Sequence, residues 1–305
     1  MSSISYIYKK LLYTLLILIT IIFVSFFALE IIPGDPVSAA FGQKGPTITQ
    51  RKKFEKDLGL DKNLNERFKI YCKNIIKLDF GYSYTYKEEK TLHLVWTSLK
   101  TTLLLSIISC ILGSVIGIYL GSLAALWNNT KKSFLLELIF FTLYCLPTFV
   151  IGFVLQFFLA FRFKIFKISG SPVLPIIVLS LSIVSGSIFK ITYTSMKEIL
   201  KQPYIMTAYA KGLSKKIVIF KHALKNALIP IISQIGLILN SLISGAIITE
   251  TIFNLNGIGK LIMTAFENRD YPIIRCCMIL LTFFIVICNL LIDISFLKIN
   301  PKIEK

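Results

Sequence analysis

The chain of 305 residues has 34 Lys and Arg against 16 Asp and Glu, a formal net charge of +18, yet 55% of its residues are hydrophobic. Nucleic-acid-binding proteins can be this basic, but they do not reach a mean hydropathy of +0.72. The composition therefore excludes a nucleic-acid partner and an ordinary soluble domain, and it predicts a membrane protein.

Six segments of the chain contain no Asp, Glu, Lys or Arg. They are residues 11–29, 101–130, 138–161, 168–189, 227–249 and 276–292. A hydrocarbon core of ~30 Å needs about 20 helical residues, and a helix satisfies its own backbone hydrogen bonds inside lipid. We therefore expect an all-α, polytopic membrane protein with six transmembrane helices in one domain, residues 1–305. The first segment is longer than the apolar part of a signal peptide, so we expect it to be retained.

Lys and Arg in the short connections between these segments indicate the orientation. If the N-terminus is inside, the short internal connections hold more basic residues than the short external ones. This pattern predicts that both termini are cytoplasmic. Arg162, Lys164 and Lys167 then lie in an external connection and oppose the trend.

The long connection after the first segment, residues 30–100, has helical patterns of its own. Residues 50–58 and 62–78 are predicted to be short helices, with Gly59 as a C-terminal cap and Asp61 as an N-cap. We expect a small helical cap outside the membrane. It is either a docking surface for an external partner or a solvated connector.

Two features predict how the next segments pack. Gly113, Gly117 and Gly121 recur at every fourth position on one helix face, where they would let a neighbouring helix approach closely. A pore-lining role is the alternative for this glycine face. Pro147 and Pro175 predict kinks or unwinding in the third and fourth segments.

The residues that usually bind metals or nucleotides are scarce or badly spaced. Cys72 is the only cysteine outside the predicted spans, and neither the cysteines nor His93 and His222 have a spacing that suits zinc. Gly259 and Lys260 lack the first glycine and the Ser or Thr of a phosphate-binding loop. We therefore expect no catalytic residues, no metal and no cofactor bound by this chain; if ATP is used, another chain binds it.

Polar side chains within the predicted spans are few. They are Gln156, Asn240, Ser241, Ser244 and Asn289. Such groups either line a passage or form hydrogen bonds between helices, so the residues that contact a substrate stay open.

Residues 190–226 form the longest predicted cytoplasmic connection, with eight Lys and a single acidic residue. Pro203 suits the first turn of a helix that runs to Lys211, Gly212 ends it, and Ser214 can cap a second helix. In that second helix an apolar stripe is predicted, formed by Ile217, Phe220, Leu224 and Leu228. A basic amphipathic segment that lies on anionic lipid would have a similar composition.

The sequence of this segment is also recognisable. It contains Thr207-Ala208-Tyr209-Ala210-Lys211-Gly212-Leu213-Ser214, followed by His222-Ala223-Leu224-Lys225-Asn226-Ala227-Leu228-Ile229-Pro230. This resembles the coupling-helix motif of binding-protein-dependent ABC transporter permeases, in the dipeptide, oligopeptide and nickel branch. Met206, His222 and Lys225 depart from the general motif of these permeases.

Further matches to the same branch are spread over nearly the whole chain. They are Pro33-Gly34-Asp35-Pro36, Leu58-Gly59-Leu60-Asp61, Asp79-Phe80-Gly81-Tyr82-Ser83, Leu146-Pro147-Thr148-Phe149, Glu250-Thr251-Ile252-Phe253 through Gly257-Ile258-Gly259, Arg269-Asp270-Tyr271-Pro272 and Asn300-Pro301-Lys302. The connection 162–167 is short for this branch.

The resemblance implies a permease subunit in the cell (inner) membrane of a bacterium or archaeon. It implies three kinds of partner besides membrane lipid: a second homologous permease, cytoplasmic ATPase subunits and an extracytoplasmic solute-binding protein. Residues 203–216 would dock into the ATPase, with Gly212 as the turn, Ala208 allowing close approach and Lys211 supplying charge toward the partner.

The resemblance also implies ATP-driven import of dipeptides or oligopeptides, with nickel or another small solute as the alternative. An ion-coupled secondary transporter is a rival of another class. Such proteins usually place ionisable side chains at membrane depth, and the six segments have no Asp, Glu, Lys, Arg or His. An intramembrane enzyme would need a nucleophile and base or a metal site, which the spans do not contain.

Overall fold

A computed structural model of the chain describes residues 3–31, 37, 45–57, 62–86, 89–244 and 247–299. Nearly all of these residues are helical, and the β-structure among them is one isolated antiparallel bridge between Tyr82 and Lys90. The predicted all-α class is therefore confirmed for the described residues. The motifs at 33–36, 58–61 and 300–302, with the predicted caps Gly59 and Asp61, lie outside them.

The described helices are named here in chain order. They are α1 (Ser3–Ile31), α2 (Ile48–Asp57), α3 (Leu64–Ile76), α4 (Thr91–Leu126), α5 (Lys131–Cys145), α6 (Thr148–Arg162), α7 (Val173–Ile199), α8 (Pro203–Ala210), α9 (Lys215–Ile243), α10 (Ile247–Ile252), α11 (Ile258–Glu267) and α12 (Tyr271–Ile299). Within α6, α7 and α9 the backbone includes a π-helical stretch, at Gln156–Arg162, Ser180–Val184 and Val218–Ala223 respectively.

Five of these described helices, α1, α4, α7, α9 and α12, are long and apolar enough to cross a membrane. Large apolar side chains stay exposed along α1, including Leu12, Leu16 and Ile19, as expected of a helix that faces lipid. The third predicted span is instead a pair of helices, α5 and α6, bent by 100°. Counting this pair as one crossing gives up to six spans, so the predicted number of six stays a prediction.

The bend in the third predicted span occurs where the sequence places Pro147. Leu146 is extended, with φ −72° and ψ 134°, and Pro147 precedes the first residue of α6. Proline disfavours helical backbone at the residue before it, so α5 ends at Cys145. The kink predicted at Pro147 is therefore a complete break between α5 and α6.

The helix boundaries differ from the predicted spans at two places. Helix α4 begins at Thr91, inside the predicted external connection 30–100, and it ends at Leu126. At ~1.5 Å per residue this 36-residue helix exceeds the ~30 Å hydrocarbon core by several turns. Thr130 lies beyond it and caps α5 by accepting a hydrogen bond from the Ser133 amide.

The chain divides into two compact units, which are described separately. Among the described residues, one contains residues 3–6, 102–255 and 288–299, and the other lies within residues 7–101 and 256–287. In the second unit, Phe26 of α1, Tyr71 of α3 and Ile279 of α12 are buried together. The Tyr71 hydroxyl is hydrogen-bonded to the Ser25 hydroxyl at 2.8 Å, which fixes α3 against α1.

The first unit is built around α7, whose middle is among the most buried parts of the described chain. Val184, Ile188, Phe189 and Met196 are fully buried there. The Phe189 ring stacks on Phe140 of α5 at 4.6 Å between centroids. This core positions α8 and α9, which carry the candidate site.

Candidate coupling segment

The short helix α8 begins where the sequence predicts. Gln202 is extended, with φ −73° and ψ 145°, and Pro203 occupies the first turn, where its missing amide hydrogen costs no helical hydrogen bond. The Thr207 hydroxyl donates to the Pro203 carbonyl at 3.2 Å. Local sequence is therefore sufficient to start this helix.

A glycine turn ends α8. Gly212 has a φ of +76°, a backbone conformation that residues with a Cβ adopt at a cost of roughly 1–2 kcal/mol. Its amide donates to the Tyr209 carbonyl at 2.9 Å, and the Leu213 amide donates to the Ala208 carbonyl at 3.4 Å. This pair of bonds is the Schellman arrangement, which satisfies carbonyls at a helix end. No heavy atom lies within 4 Å of an added Cβ, so the requirement for glycine comes from the backbone.

Helix α9 starts directly after the turn. Ser214 is its N-cap, with φ −64° and ψ 148°, and the Ser214 hydroxyl accepts a hydrogen bond from the Ile217 amide at 3.5 Å. The path is thus a helix, a glycine turn and a second helix that continues through Ile243.

The predicted apolar stripe on α9 is wrong in its first half only, since Leu224 and Leu228 are half-buried and Leu224 packs against the core. Ile217 and Phe220 are exposed, whereas Val218, Ile219, Ala223 and Ala227 are buried. The prediction assumed 3.6 residues per turn, but Val218–Ala223 is π-helical, and the wider turn rotates the positions that face the core.

One face of α8 packs into the protein itself. Ile205 is fully buried and Ala208 is 8% exposed, in the same cluster as Val218, Ile219 and Ala223 of α9. The close approach expected of Ala208 is therefore made to the chain's own core. A hydrogen bond of 2.7 Å from the Asn226 amide to the Tyr204 hydroxyl adds a second link between the two helices.

The opposite face of α8 is exposed. We call this face, together with the C-terminal cap Lys211, the coupling patch; it consists of Tyr204, Met206, Thr207, Tyr209, Ala210 and Lys211. Met206 is 66% exposed and Tyr209 is 40% exposed, an unusual display of apolar side chains for a segment rich in lysine. Of the other predicted coupling residues, Gly212 and Ser214 are exposed and Leu213 is partly buried. An apolar centre with a polar and basic rim has the composition of a protein interface.

Gly113, Gly117 and Gly121 of α4 face α7. A Cβ added at Gly113 would lie 2.6 Å from the Val184 Cβ, and one at Gly117 would lie 2.8 Å from the Ile188 Cβ. At Gly121 the nearest atom is the Thr192 Cβ, at 2.9 Å. Backbone atoms of α7 lie within 3.0 Å at all three positions, so the two helices approach too closely for any side chain there.

Polar groups within the spans are mostly paired with one another or with backbone. The Gln156 amide donates to the carbonyls of Ile168 and Ile252, at 2.7 and 3.2 Å. Asn240 donates to Asn289 at 2.5 Å, and the Ser244 hydroxyl donates to the Ser241 carbonyl at 2.9 Å.

Two polar contacts, one of them buried, lie outside the sequence-based predictions. The Gln234 amide donates to the Ser187 hydroxyl at 2.8 Å, and the Thr102 hydroxyl donates to the Glu250 carboxylate at 2.6 Å. Glu250 is fully buried. Two signals were available for it in the sequence: its position one residue beyond the fifth predicted span and its place at the start of the matched run Glu250-Thr251-Ile252-Phe253. Among the described residues no group of three His, Cys, Asp or Glu could hold a metal ion.

Long apolar helices, lipid-facing side chains and a tightly packed glycine face define a multi-pass membrane protein. The comparisons identify the family. Residues 113–305 match the family model of the binding-protein-dependent transport system inner membrane component, and residues 3–106 match the model of its N-terminal region. The chain belongs to this family, whose members are permease subunits of ABC transporters.

Relatives of similar length support the assignment. The chain is 33% identical to a probable peptide ABC transporter permease, y4tP, of Sinorhizobium fredii, covering 98% of this chain and 99% of the relative. It is 32% identical to the oligopeptide transport system permease AppB of Bacillus subtilis, covering 98% and 99%. It is also 32% identical to the dipeptide transport system permease DppB of Lactococcus lactis, covering 99% of each chain.

A solved structure shares the fold. An inward-facing conformation of the MetNI methionine ABC transporter has a chain that matches with a TM-score of 0.61 at 16% identity, covering 68% of this chain and 96% of that one. This similarity supports the predicted ABC-permease fold.

Proposed function

We propose that the chain is the permease subunit of an ATP-driven importer of dipeptides or oligopeptides, and that it forms half of the translocation pathway. The relatives named above are peptide, oligopeptide and dipeptide permeases over nearly the full length of the chain. The single observation that carries the mechanism is the coupling patch, where Met206 and Tyr209 stay exposed at the centre of a surface with a protein-interface composition.

In this proposal α8 transmits the movement of the ATPase to the membrane helices. The coupling patch seats in a groove of a cytoplasmic ATPase, and Lys211 contributes a charge at its rim. Ile205 and Ala208 hold α8 on the core of α9, so a displacement of α8 is passed to the helix that leads into the membrane. The turn at Gly212 fixes the angle between the two helices. Closure of the ATPase on ATP would then switch the permease between inward-open and outward-open states.

The assembly needs a second permease, ATPase subunits and an extracytoplasmic solute-binding protein. The proposed topology has six spans, with α5 and α6 as one broken crossing, both termini in the cytoplasm and the segment around α2 and α3 outside. In this proposal the chain itself is not an enzyme and binds no cofactor, because ATP hydrolysis belongs to the partner. The membrane is the inner membrane of a bacterium or archaeon.

Two alternatives make different predictions. An importer of nickel or another small solute would have the same architecture, but none of the relatives named above is a nickel permease. An ion-coupled secondary transporter would work without an ATPase and would leave the coupling patch without a function.

The test is to purify the full chain from its native membrane in mild detergent and identify the co-purifying proteins by mass spectrometry. We expect an ATPase and a second permease in stable amounts, and ATP-dependent peptide uptake after reconstitution. Met206→Asp should release the ATPase, because it places a charge in the centre of the coupling patch. Met263→Asp is the matched control, since Met263 is also exposed but lies on α11.

A chain that purifies alone and moves solute under an ion gradient without ATP would contradict the proposal. Retention of the ATPase by Met206→Asp at the wild-type level would instead locate the coupling contact elsewhere on the chain.

A further inference from the structure

Residues 161–168, at the end of α6 and in the connection to α7, alternate apolar and basic side chains. Their sequence is Phe161-Arg162-Phe163-Lys164-Ile165-Phe166-Lys167-Ile168. These are the same basic residues that oppose the charge pattern of the other connections. They lie directly beside the ends of two predicted spans, which places the segment at the membrane–water interface.

Hydrogen bonds hold this segment in one conformation. The Phe163 amide donates to the Phe158 carbonyl, and the Ile165 amide donates to the Leu159 carbonyl, both at 2.8 Å. Lys164 has a φ of +54°, which turns the chain sharply. At the far end, the Gln156 side chain donates to the Ile168 carbonyl at 2.7 Å. The segment is therefore a built surface feature and not a loose connector.

An open groove of about 710 Å³ lies along the segment. Arg162, Lys164 and Lys167 line it together with four apolar residues, among them Phe161 and Phe166. All three cations are exposed, and none of them makes an ion pair with another residue in the described ranges. Three cations without counter-charges, converging on one groove, create a site for an anion.

The apolar side chains around the cations indicate what kind of anion. Phe161 and Phe163 are each 61% exposed, and Ile165 is 63% exposed. A soluble anion would use the cations and leave these side chains in water. A phospholipid would use both, because its phosphate can pair with the cations while its acyl chains contact Phe and Ile at the headgroup boundary.

We propose that this groove binds the phosphate of an anionic phospholipid. The cations of Arg162, Lys164 and Lys167 contact the headgroup, and the exposed apolar side chains of the segment lie against the upper part of the acyl chains. With the predicted orientation, this lipid belongs to the outer leaflet. The proposal explains why three basic residues occur on the side of the membrane where the charge pattern disfavours them, and it does not depend on the cargo or on ATP coupling.

The test uses the full-length protein with its co-purifying partners, reconstituted in phosphatidylcholine nanodiscs that contain a minor fraction of phosphatidylglycerol. Retained phosphatidylglycerol is counted by native mass spectrometry after release into detergent. Each cation near an anionic surface contributes about fivefold in affinity. The triple variant Arg162→Gln, Lys164→Gln, Lys167→Gln should therefore bind phosphatidylglycerol on the order of 100-fold more weakly.

Two matched controls accompany the triple variant. Arg162→Lys, Lys164→Arg, Lys167→Arg keeps the charges and should retain the lipid. Lys69→Gln, Lys73→Gln, Lys77→Gln removes three exposed cations on and after α3 and should also retain it. Soluble glycerol phosphate is the competitor that tests the apolar contribution, and it should displace the lipid poorly.

Three results would overturn the proposal. Phosphatidylglycerol could be retained equally by the triple glutamine variant. Glycerol phosphate could compete as well as the intact lipid, which would make the groove a site for a soluble anion. The three cations could be required for binding of an acidic extracytoplasmic protein but not for phosphatidylglycerol, which would make the segment a protein-docking surface.

Discussion

Ser83 donates its hydroxyl hydrogen to a carboxylate oxygen of Asp270 at 2.6 Å, across 187 positions of the sequence. The Thr85 amide donates to the same oxygen at 2.9 Å, and Asp270 itself is fully buried at the start of α12. Burial raises the pKa of Tyr84 in the same turn, and the charge of Asp270 adds to this effect. Residues 79–83 and residues 269–272 are two separate motifs in the sequence. In the structure they contact each other through Ser83 and Asp270.

Replacing Asp270 with Ala should destabilise the protein by about 3 kcal/mol, because the buried Ser83 hydroxyl and the partly buried Thr85 amide would both lose their acceptor. Thermal unfolding in detergent measures the loss. Asp79→Ala is the control: Asp79 is exposed and accepts one hydrogen bond, from the Gly81 amide at 3.1 Å, so its loss should cost less than about 0.5 kcal/mol. Equal unfolding midpoints for the two variants would contradict the assignment.

The glycine face of α4 predicts a second contrast in stability. Gly117→Ala should cost about 1–3 kcal/mol, because the new Cβ would lie 2.9 Å from backbone atoms of Phe189 and Ser185, which cannot move away cheaply. Gly152→Ala is the matched control in α6, where the nearest atom, Cε2 of Phe253, lies 3.6 Å away. That variant should be neutral or slightly stabilising, since Ala favours a helix over Gly. Equal losses of stability in Gly117→Ala and Gly152→Ala would contradict the close packing of α4 against α7.

The sequence predicted the glycine face but not its partner. Period and composition identify Gly113, Gly117 and Gly121 as a packing surface, whereas the choice of α7 depends on contacts with residues that are about 70 positions away. The starts of α8 and α9 were predictable for the opposite reason. Pro203, Gly212 and Ser214 each act on the backbone within a few residues, so local sequence suffices.

The register of α9 shows where local reasoning fails. The π-helical stretch Val218–Ala223 has no marker in the sequence, and it moves Ile219 into the core while Phe220 turns outward. Tyr119 of α4 then stacks on the exposed Phe220 ring, at 6.4 Å between centroids. Tertiary packing of this kind stabilises the wider helical turn. The spacing of apolar residues in the sequence carries no information about that packing. The contact of Glu250 was not predictable for a similar reason, since its partner Thr102 lies on another helix.

The turn at Gly212 gives a test of coupling that is separate from folding. Gly212→Val should leave the protein in the membrane but reduce ATP-dependent transport at least tenfold, because a β-branched residue disfavours a φ of +76° and alters the angle between α8 and α9. Gly170→Val is a matched control, with a φ of +73° and equally open surroundings in a different connection. Normal transport by Gly212→Val, or equal losses in both variants, would contradict a specific role for this turn.

Cys72 on α3 reports the orientation of the chain, because the other cysteines lie in predicted spans. If the segment around α3 is external, a membrane-impermeant maleimide should label Cys72 in intact cells. Burial raises the pKa of the Cys72 thiol, so the reactive thiolate is scarce at neutral pH. Labelling should therefore be slow there and accelerate about tenfold per pH unit toward the alkaline side.

The Cys72→Ser variant gives the background from the remaining cysteines, and it should abolish the signal. Labelling of the wild type only after the membrane is permeabilised would place α3 in the cytoplasm. The termini would then be outside, and the coupling patch on α8 would face away from any cytoplasmic ATPase. This single experiment therefore tests the predicted topology and the proposed direction of coupling together, because both require α3 and α8 to lie on opposite sides of the membrane.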